Sequence, residues 1–97
     1  MLGYQASMTK SSGDQGVDIV VAGKGKKIAV QAKGYSGTVG NDAVQEVVAG
    51  QRFYGCDSCA VVTNSRFSAA TWQLARVNDC RLVDGEHIRD LIEGRIY

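Results

Sequence analysis

The fold is decided by the stretch VDIVVAGKGKKIAVQAK, residues 17–33. Its first six residues are apolar except for Asp18, and such a short apolar run predicts a buried strand. Two glycines among residues 23–26 can supply the positive φ angles of a tight turn. A second strand over residues 27–33 then completes a β-hairpin.

The second strand of this hairpin alternates between two kinds of side chain. Apolar residues occupy one face, and Gln31 and Lys33 stand together on the other. With the turn centred near Lys24 and Gly25, Asp18 falls roughly opposite Gln31. A carboxylate inside an apolar strand is costly to bury unless a cation or strong donors meet it. We therefore expect an acid, an amide and an amine to converge at one end of the sheet.

These three side chains are of the types expected at a site for a divalent cation. A hard cation such as Mg²⁺ prefers oxygen ligands and retains several waters. Asp18 could bind it directly, and the side-chain oxygen of Gln31 could add a weaker ligand. Lys33 could position or help deprotonate an attacking water, or neutralise charge in the transition state. The spacing alone leaves a structural ion pair between Asp18 and Lys33 as the alternative.

The rest of the chain predicts helices and strands in alternation. A short strand over residues 4–9 precedes a polar loop, so the chain begins as a three-stranded meander. After a glycine-rich loop, Asn41 is the predicted N-cap of a helix that Gly55 closes. The apolar run 59–63 follows that helix, which favours a parallel strand in a crossover unit.

The C-terminal third continues this alternation. Ser68 is the predicted N-cap of a second helix, with Phe67 and Trp72 spaced for a hydrophobic staple. A short strand at residues 81–83 and an amphipathic helix over 86–93 complete the order. The predicted architecture is a mixed α/β domain of about five strands, a three-stranded meander followed by helix-strand-helix-strand-helix.

Length and composition limit the class of protein. A chain of 97 residues predicts one domain, 1–97. The net charge of +1 means that DNA binding would need local clustering of positive charge. The sequence contains no apolar run of about 18 residues, no signal-peptide pattern and an odd number of cysteines. These features predict a cytoplasmic location without a membrane partner.

The motifs GDQGVD at residues 13–18 and VQAK at residues 30–33 resemble the Mrr-like restriction endonuclease family. That family is a branch of the PD-(D/E)XK nuclease superfamily with a Gln-x-Lys variant. The similarity continues in order through Tyr35-Ser36-Gly37, Val39-Gly40-Asn41, Val44-Gln45-Glu46-Val47, Gly50, Val62-Thr63-Asn64, Phe67, Ala70, Leu82-Val83-Asp84 and Leu91. It thus covers nearly the whole chain and implies a restriction-endonuclease-like fold.

The resemblance implies a DNA endonuclease that hydrolyses phosphodiester bonds through a water activated by Mg²⁺ or Mn²⁺. Asp18 would be a metal ligand, Gln31 would replace the usual acidic ligand, and Lys33 would be the catalytic lysine. Asp14 and Gln45 are possible supports of the site. The alternative function is a catalytically weak or inactive nuclease-fold module that binds DNA or a protein partner.

The sequence departs from the family pattern at its start. Related domains begin with a helix that packs beside the first strand and commonly supplies a glutamate to the site. This sequence begins at what resembles the end of that helix. The sheet face that the helix covers would be left apolar and exposed, which small proteins seldom tolerate. We therefore expect a homodimer in which a second chain covers this face.

Four residues are candidates for direct contact with nucleic acid. Lys24 and Lys26 lie in the hairpin turn, and Tyr35 and Ser36 lie in the loop after the second strand. Lysines on an exposed turn also protect a sheet edge from aggregation. The lysine cluster is therefore interpreted as a solvated edge in the first place, with phosphate contact as the alternative.

Cys56 and Cys59 have the spacing of a thiol redox pair or of half a zinc site. A redox pair is expected at a helix N-terminus, whereas this pair lies between a helix end and a strand start. No second Cys/His pair completes a zinc site. We expect free thiols here, and a packing or surface role for His87.

Overall fold

The computed structural model describes residues 4–8, 17–34 and 37–92. Of the predicted site residues, Asp14, Tyr35 and Ser36 lie outside this part of the chain. The strands are β1 (Tyr4–Met8), β2 (Ile19–Gly23), β3 (Lys26–Lys33), β4 (Thr38–Val39), β5 (Ser58–Thr63), β6 (Arg66–Phe67) and β7 (Cys80–Val83). The helices are α1 (Asn41–Phe53), α2 (Ala69–Val77) and α3 (Gly85–Ile92).

Five strands form one mixed sheet in the order β1-β2-β3-β5-β7. The first three pair in antiparallel fashion, and β5 and β7 then run parallel to β3. This topology confirms the predicted mixed α/β architecture. The short strands β4 and β6 form a second, parallel pair that the sequence analysis did not predict. Two residues are too few to show a periodicity.

The β2–β3 hairpin forms where the sequence predicts it. Lys24 and Gly25 occupy the turn, with φ angles of 54° and 78°. Positive φ at both central residues matches the right-handed twist of the flanking strands. The ladder places Ile19 opposite Val30 and Gly23 opposite Lys26. The hairpin prediction is therefore confirmed, with the site residues at its open end and the turn at the other.

Helix α1 covers the sheet face that carries the polar pair. Its buried residues Ala43, Val44 and Val47 join the core with Ala29 and Val61 of the sheet. The more apolar face of β3 is the less covered one, because its Ile28 and Val30 are only half-buried. Gln31 is thus held under a helix instead of standing in solvent.

The start of α2 confirms two sequence predictions. The Ser68 side chain accepts a hydrogen bond from Thr71 N at 3.1 Å, which caps the helix. The rings of Phe67 and Trp72 meet edge-to-face with centroids 5.6 Å apart. This contact is the predicted hydrophobic staple.

The ends of α1 give one correction and one confirmation. Asn41 is not the N-cap, because it is the first helical residue and Gly40 precedes it without a side-chain cap. The Asn41 side chain instead accepts a hydrogen bond from Thr71 Oγ1 at 3.0 Å, which ties α1 to α2. Gly55 does close the helix, with a φ angle of 65° and its N–H bonded to Arg52 O at 3.2 Å.

The described residues contain no helix long and apolar enough to cross a membrane.

Gly85 is the glycine with the tightest packing among those whose surroundings the structure gives. A Cβ at this position would lie 2.3 Å from Asn64 O, and Gly85 N donates to Ser65 O at 2.8 Å. We therefore expect Gly85→Ala to reduce the free energy of unfolding by about 1–3 kcal/mol, because the backbone must shift to admit the methyl group. Chemical denaturation measures this loss.

Gly34→Ala is the matched control, since a Cβ there meets no described atom within 4 Å. Equal stability of the two variants would contradict the close packing of Gly85 against Asn64.

Candidate active site

Asp18 lies one residue before β2 and breaks the regular ladder. Its backbone N–H donates to Val30 O at 2.9 Å, one residue out of the register that places Ile19 opposite Val30. Its Oδ2 accepts from Ala32 N at 2.8 Å. A side-chain oxygen thus takes the place of a strand carbonyl, as at irregular strand ends near active sites. The carboxylate is held against the backbone between Gln31 and Lys33.

Gln31 is buried on β3, with 4% of its surface exposed. Its Nε2 donates to Glu46 Oε1 of helix α1 at 3.0 Å. Its Oε1 is buried and has no hydrogen-bond partner among the described residues. A buried acceptor without a partner costs about 1–3 kcal/mol, so this oxygen is a natural place for a cation or a donor to bind.

Lys33 is the last residue of β3 and is partly exposed. Its Nζ lies 3.7 Å from Glu46 Oε1, the same oxygen that accepts from Gln31. Its backbone carbonyl accepts from Thr63 Oγ1 at 2.6 Å, which fixes the end of β3 to β5. The side chain borders an open cavity of about 250 Å³ beside the first turn of α1.

Glu46 is the site residue that the sequence analysis missed, since it named Gln45 instead. Gln45 is exposed and borders a different open cavity, together with Arg52 and Asn78. The helical spacing contained the signal. Glu46 follows the buried Ala43 by three residues and so shares its side of the helix, whereas Gln45 falls on the opposite side.

The donor set suits a hard divalent cation. Asp18 offers a carboxylate and Gln31 a buried amide oxygen without a partner, and oxygen ligands are those that Mg²⁺ prefers. Within residues 17–34 and 37–92, no group of three or more His, Cys, Asp or Glu could hold a metal. Mg²⁺ commonly keeps several waters beside a small number of protein oxygens, and these two side chains suit that arrangement.

The basic residues predicted to contact nucleic acid lie far from this site. Lys24 is in the hairpin turn and Lys26 begins β3, whereas Lys33 ends it. Seven residue steps along a strand span about 23 Å. Arg66 is nearer, because it follows the carboxyl end of β5 and donates from Nε to Thr38 Oγ1 at 3.3 Å.

The three cysteines are free and buried. Cys59 lies opposite Cys80 on the neighbouring strand. The hydrogen bond to Cys59, together with burial, raises the pKa of the Cys80 thiol well above its usual range. Burial also raises the pKa of the Cys56 thiol. The hydrogen bond with Cys80 lowers the pKa of the Cys59 thiol against the effect of burial. The burial of all three thiols favours structural thiols over a reactive Cys-x-x-Cys pair.

His87 has a structural place in α3. It is half-buried, and its backbone N–H donates to Asp84 Oδ1 at 2.8 Å. Asp84 thus caps the first turn of this helix.

Comparison with known proteins identifies the family of this chain. The family model Mrr_cat, described as a restriction endonuclease, matches residues 1–92. No curated protein sequence matches the chain. A solved structure titled as the MspJI restriction endonuclease in complex with a 27-mer oligonucleotide matches with a TM-score of 0.67 and 26% identity, over 88% of this chain and 22% of that one.

A second solved structure shows the same fold. The crystal structure of AF1548, a protein of unknown function, matches with a TM-score of 0.71 and 17% identity, over 84% of this chain and 50% of that one. The chain therefore spans half or less of the length of these two structures.

Proposed function

Because the chain belongs to the Mrr_cat restriction endonuclease family, we propose that it hydrolyses phosphodiester bonds of DNA with the help of Mg²⁺ or Mn²⁺. The observation that carries this proposal is the buried Oε1 of Gln31, which has no partner among the described residues. The neighbouring Asp18 carboxylate supplies the negative charge that a cation requires.

The two oxygen donors would hold the metal. Asp18 is already oriented, because Ala32 N holds its Oδ2, and Gln31 is oriented by its contact with Glu46. Held by Asp18 and Gln31, Mg²⁺ would supply Lewis-acid chemistry that polarises a phosphodiester and lowers the pKa of a water. The protein itself contributes orientation, since both ligand residues are fixed by hydrogen bonds before any ion arrives.

Lys33 supplies positive charge beside the reacting phosphate. Lys33 borders the open cavity next to the first turn of α1, which leaves space for a phosphate group. Charge develops on the phosphoryl oxygens in the transition state, and a fixed cation there stabilises it more than the ground state. The amine can also hold a water by a hydrogen bond.

The test is nicking of supercoiled plasmid DNA by excess protein in MgCl₂ or MnCl₂, with EDTA as the control. We expect open-circular and then linear product in either metal and none with EDTA. Intact plasmid at high protein concentration in both metals would contradict the proposal. The chain would then be a nuclease-fold module that binds DNA or a protein without cutting.

We expect Arg66 to contact the DNA backbone, since it is exposed near the carboxyl ends of the parallel strands and Thr38 holds its guanidinium. Arg66→Ala should weaken binding of all duplex sequences alike and lower the slope of log affinity against log salt by about one. Fluorescence anisotropy with a labelled duplex at several salt concentrations measures both quantities.

Lys26→Ala is the charge-matched control, because Lys26 lies at the far end of β3. An equal loss of salt dependence in the two variants would contradict the assignment of the DNA face to the strand ends that carry Arg66.

A second copy of the chain is the partner we propose for the less covered sheet face. Val21, Ile28 and Val30 border an open cavity of about 540 Å³ on this face. Exposed Asp79 and Arg81 lie at the same cavity and carry opposite charges that a two-fold axis can pair. Sedimentation velocity at micromolar concentration should give a dimer, and a stable monomer would contradict this arrangement.

A further inference from the structure

Glu46 and Gln31 form a contact whose chemistry fixes the direction of an amide. A carboxylate only accepts hydrogen bonds, so the group that faces it must be a donor. Nε2 of Gln31 faces Glu46 at 3.0 Å for this reason, and an amide turned the other way would set two acceptors against each other. Glu46 therefore decides which end of the Gln31 amide points away from α1.

The end that points away is the oxygen. Gln31 Oε1 is buried and has no hydrogen-bond partner in the described part of the chain. A buried acceptor without a partner is unfavourable, and such an arrangement in a native site calls for a ligand. The contact with Glu46 thus produces an oriented hard oxygen on Gln31, the residue before Ala32, whose N–H holds the Asp18 carboxylate.

An ordinary ion pair does not account for this geometry. The Glu46–Lys33 distance is 3.7 Å and both side chains are partly exposed, so the pair contributes little to stability. Glu46 also reaches below the surface to the buried Gln31. The contact of Glu46 that orients a site residue is the hydrogen bond with the Gln31 amide.

The same contact explains why residue 31 is a glutamine. A glutamate at this position would set a carboxylate against Glu46 at hydrogen-bond distance, with Lys33 as the cation paired with Glu46. Like charges this close repel. An amide keeps an oxygen for the metal and offers a donor to Glu46.

We propose that Glu46 is a positioning residue that turns the Gln31 amide oxygen toward the metal site, and that residues 31 and 46 can exchange amide and carboxylate without loss of the site. This inference rests on the proposed function for the identity of the ligand. Glu46 of helix α1 would thus act on the metal site indirectly, by orienting the amide of Gln31.

The test compares wild type with Glu46→Ala, Gln31→Glu and the double variant Gln31→Glu/Glu46→Gln. The double variant has the same net charge and the same pair of groups as wild type, with their positions exchanged. Asp57→Asn is the control, because it removes one exposed acid whose Oδ2 binds the backbone at the opposite end of β3. Mn²⁺ titration followed by electron paramagnetic resonance measures the affinity directly.

We expect Glu46→Ala to weaken Mn²⁺ binding about tenfold or more, the usual range for a group that orients a metal ligand. Asp57→Asn should change it less than about twofold, and the double variant should stay within about threefold of wild type, which two groups acting as one unit predict. Thermal unfolding in EDTA should show a lower melting temperature for Gln31→Glu than for wild type. The double variant should melt near the wild-type temperature, since the exchange removes the two facing carboxylates.

An unchanged Mn²⁺ affinity in Glu46→Ala would overturn the inference, and so would a double variant no more stable than Gln31→Glu alone. The positioning role of Glu46 and the proposed nuclease activity can be refuted independently of each other. Plasmid nicking that persists while Glu46→Ala leaves Mn²⁺ affinity unchanged would refute the positioning role alone. Mn²⁺ binding that depends on Glu46 in a protein that cuts no DNA would refute the nuclease proposal alone.

Discussion

Asp18→Asn is expected to reduce metal-dependent plasmid nicking about 1000-fold or more. The substitution removes the one negative charge that the Asp18 side chain offers to a cation. A metal contributes several kcal/mol to phosphodiester cleavage, and about 4 kcal/mol corresponds to about 1000-fold in rate. The initial rate of open-circle formation in MnCl₂ measures the loss.

Asparagine retains the structural role of this residue. The Asp18 side chain accepts from Ala32 N at 2.8 Å, and an asparagine oxygen can accept the same bond. We therefore expect the fold to persist, with stability close to wild type by chemical denaturation.

Asp57→Asn is a closely matched control for this variant. Its Oδ2 accepts from Lys27 N at 2.8 Å, so it makes the same kind of bond to the same strand at the opposite end. Cleavage should be unchanged in Asp57→Asn. Full activity of Asp18→Asn, or an equal loss in both variants, would contradict the role of Asp18 as a ligand.

Lys33→Met is expected to lower the cleavage rate about 100- to 1000-fold while Mn²⁺ binding is retained. Methionine keeps most of the aliphatic stem and removes the amine of Lys33, a residue that borders the cavity beside α1. Losses of this size follow from removing one fixed donor or general acid–base group at a transition state. Single-turnover cleavage with saturating protein isolates the chemical step from DNA binding.

Lys33→Arg provides the comparison that retains the charge. It should keep part of the activity, since a guanidinium is also a donor but has a different shape. A Lys33→Met variant that cleaves at the wild-type rate would contradict a catalytic role. So would a loss of activity fully explained by a parallel loss of Mn²⁺ binding.

The fold could be predicted in large part because its local signals agree. The glycines around Lys24 required a tight turn, the apolar runs on either side required strands, and Ser68 with Phe67 required a capped helix. The turn, the strands and the helix cap each depend only on residues that are close in sequence. The pair β4–β6 could not be predicted, because its residues lie 28 apart and each strand has two residues.

The strand side of the candidate site could be predicted from the sequence, and its helix side could not. The alternation of β3 placed Gln31 and Lys33 on one face, and the hairpin register brought Asp18 to the same end of the sheet. The helix contribution depends on which side of α1 packs on the sheet, a tertiary fact. The predicted Gln45 was therefore one residue from Glu46, the side chain that contacts Gln31 and Lys33.

Two of the residues predicted to contact DNA lie away from the candidate site for a geometric reason. Lys24 and Lys26 are close in sequence to the site strands, but a hairpin turn and its open end lie at opposite ends of the strands. The predicted loop residues Tyr35 and Ser36 lie outside the described residues. Arg66 lies just after the end of β5, near the carboxyl ends of the parallel strands, which makes it the better candidate.

The most direct test of the account is the anomalous diffraction of Mn²⁺ in crystals of the wild-type protein. We expect a peak whose ligands are the Asp18 carboxylate and Oε1 of Gln31, at distances typical of oxygen ligands, about 2.0–2.3 Å. The Gln31 amide nitrogen should still face Glu46. A peak that lacks both residues, or no peak in crystals soaked at saturating Mn²⁺, would contradict the metal site on which the proposed hydrolysis depends.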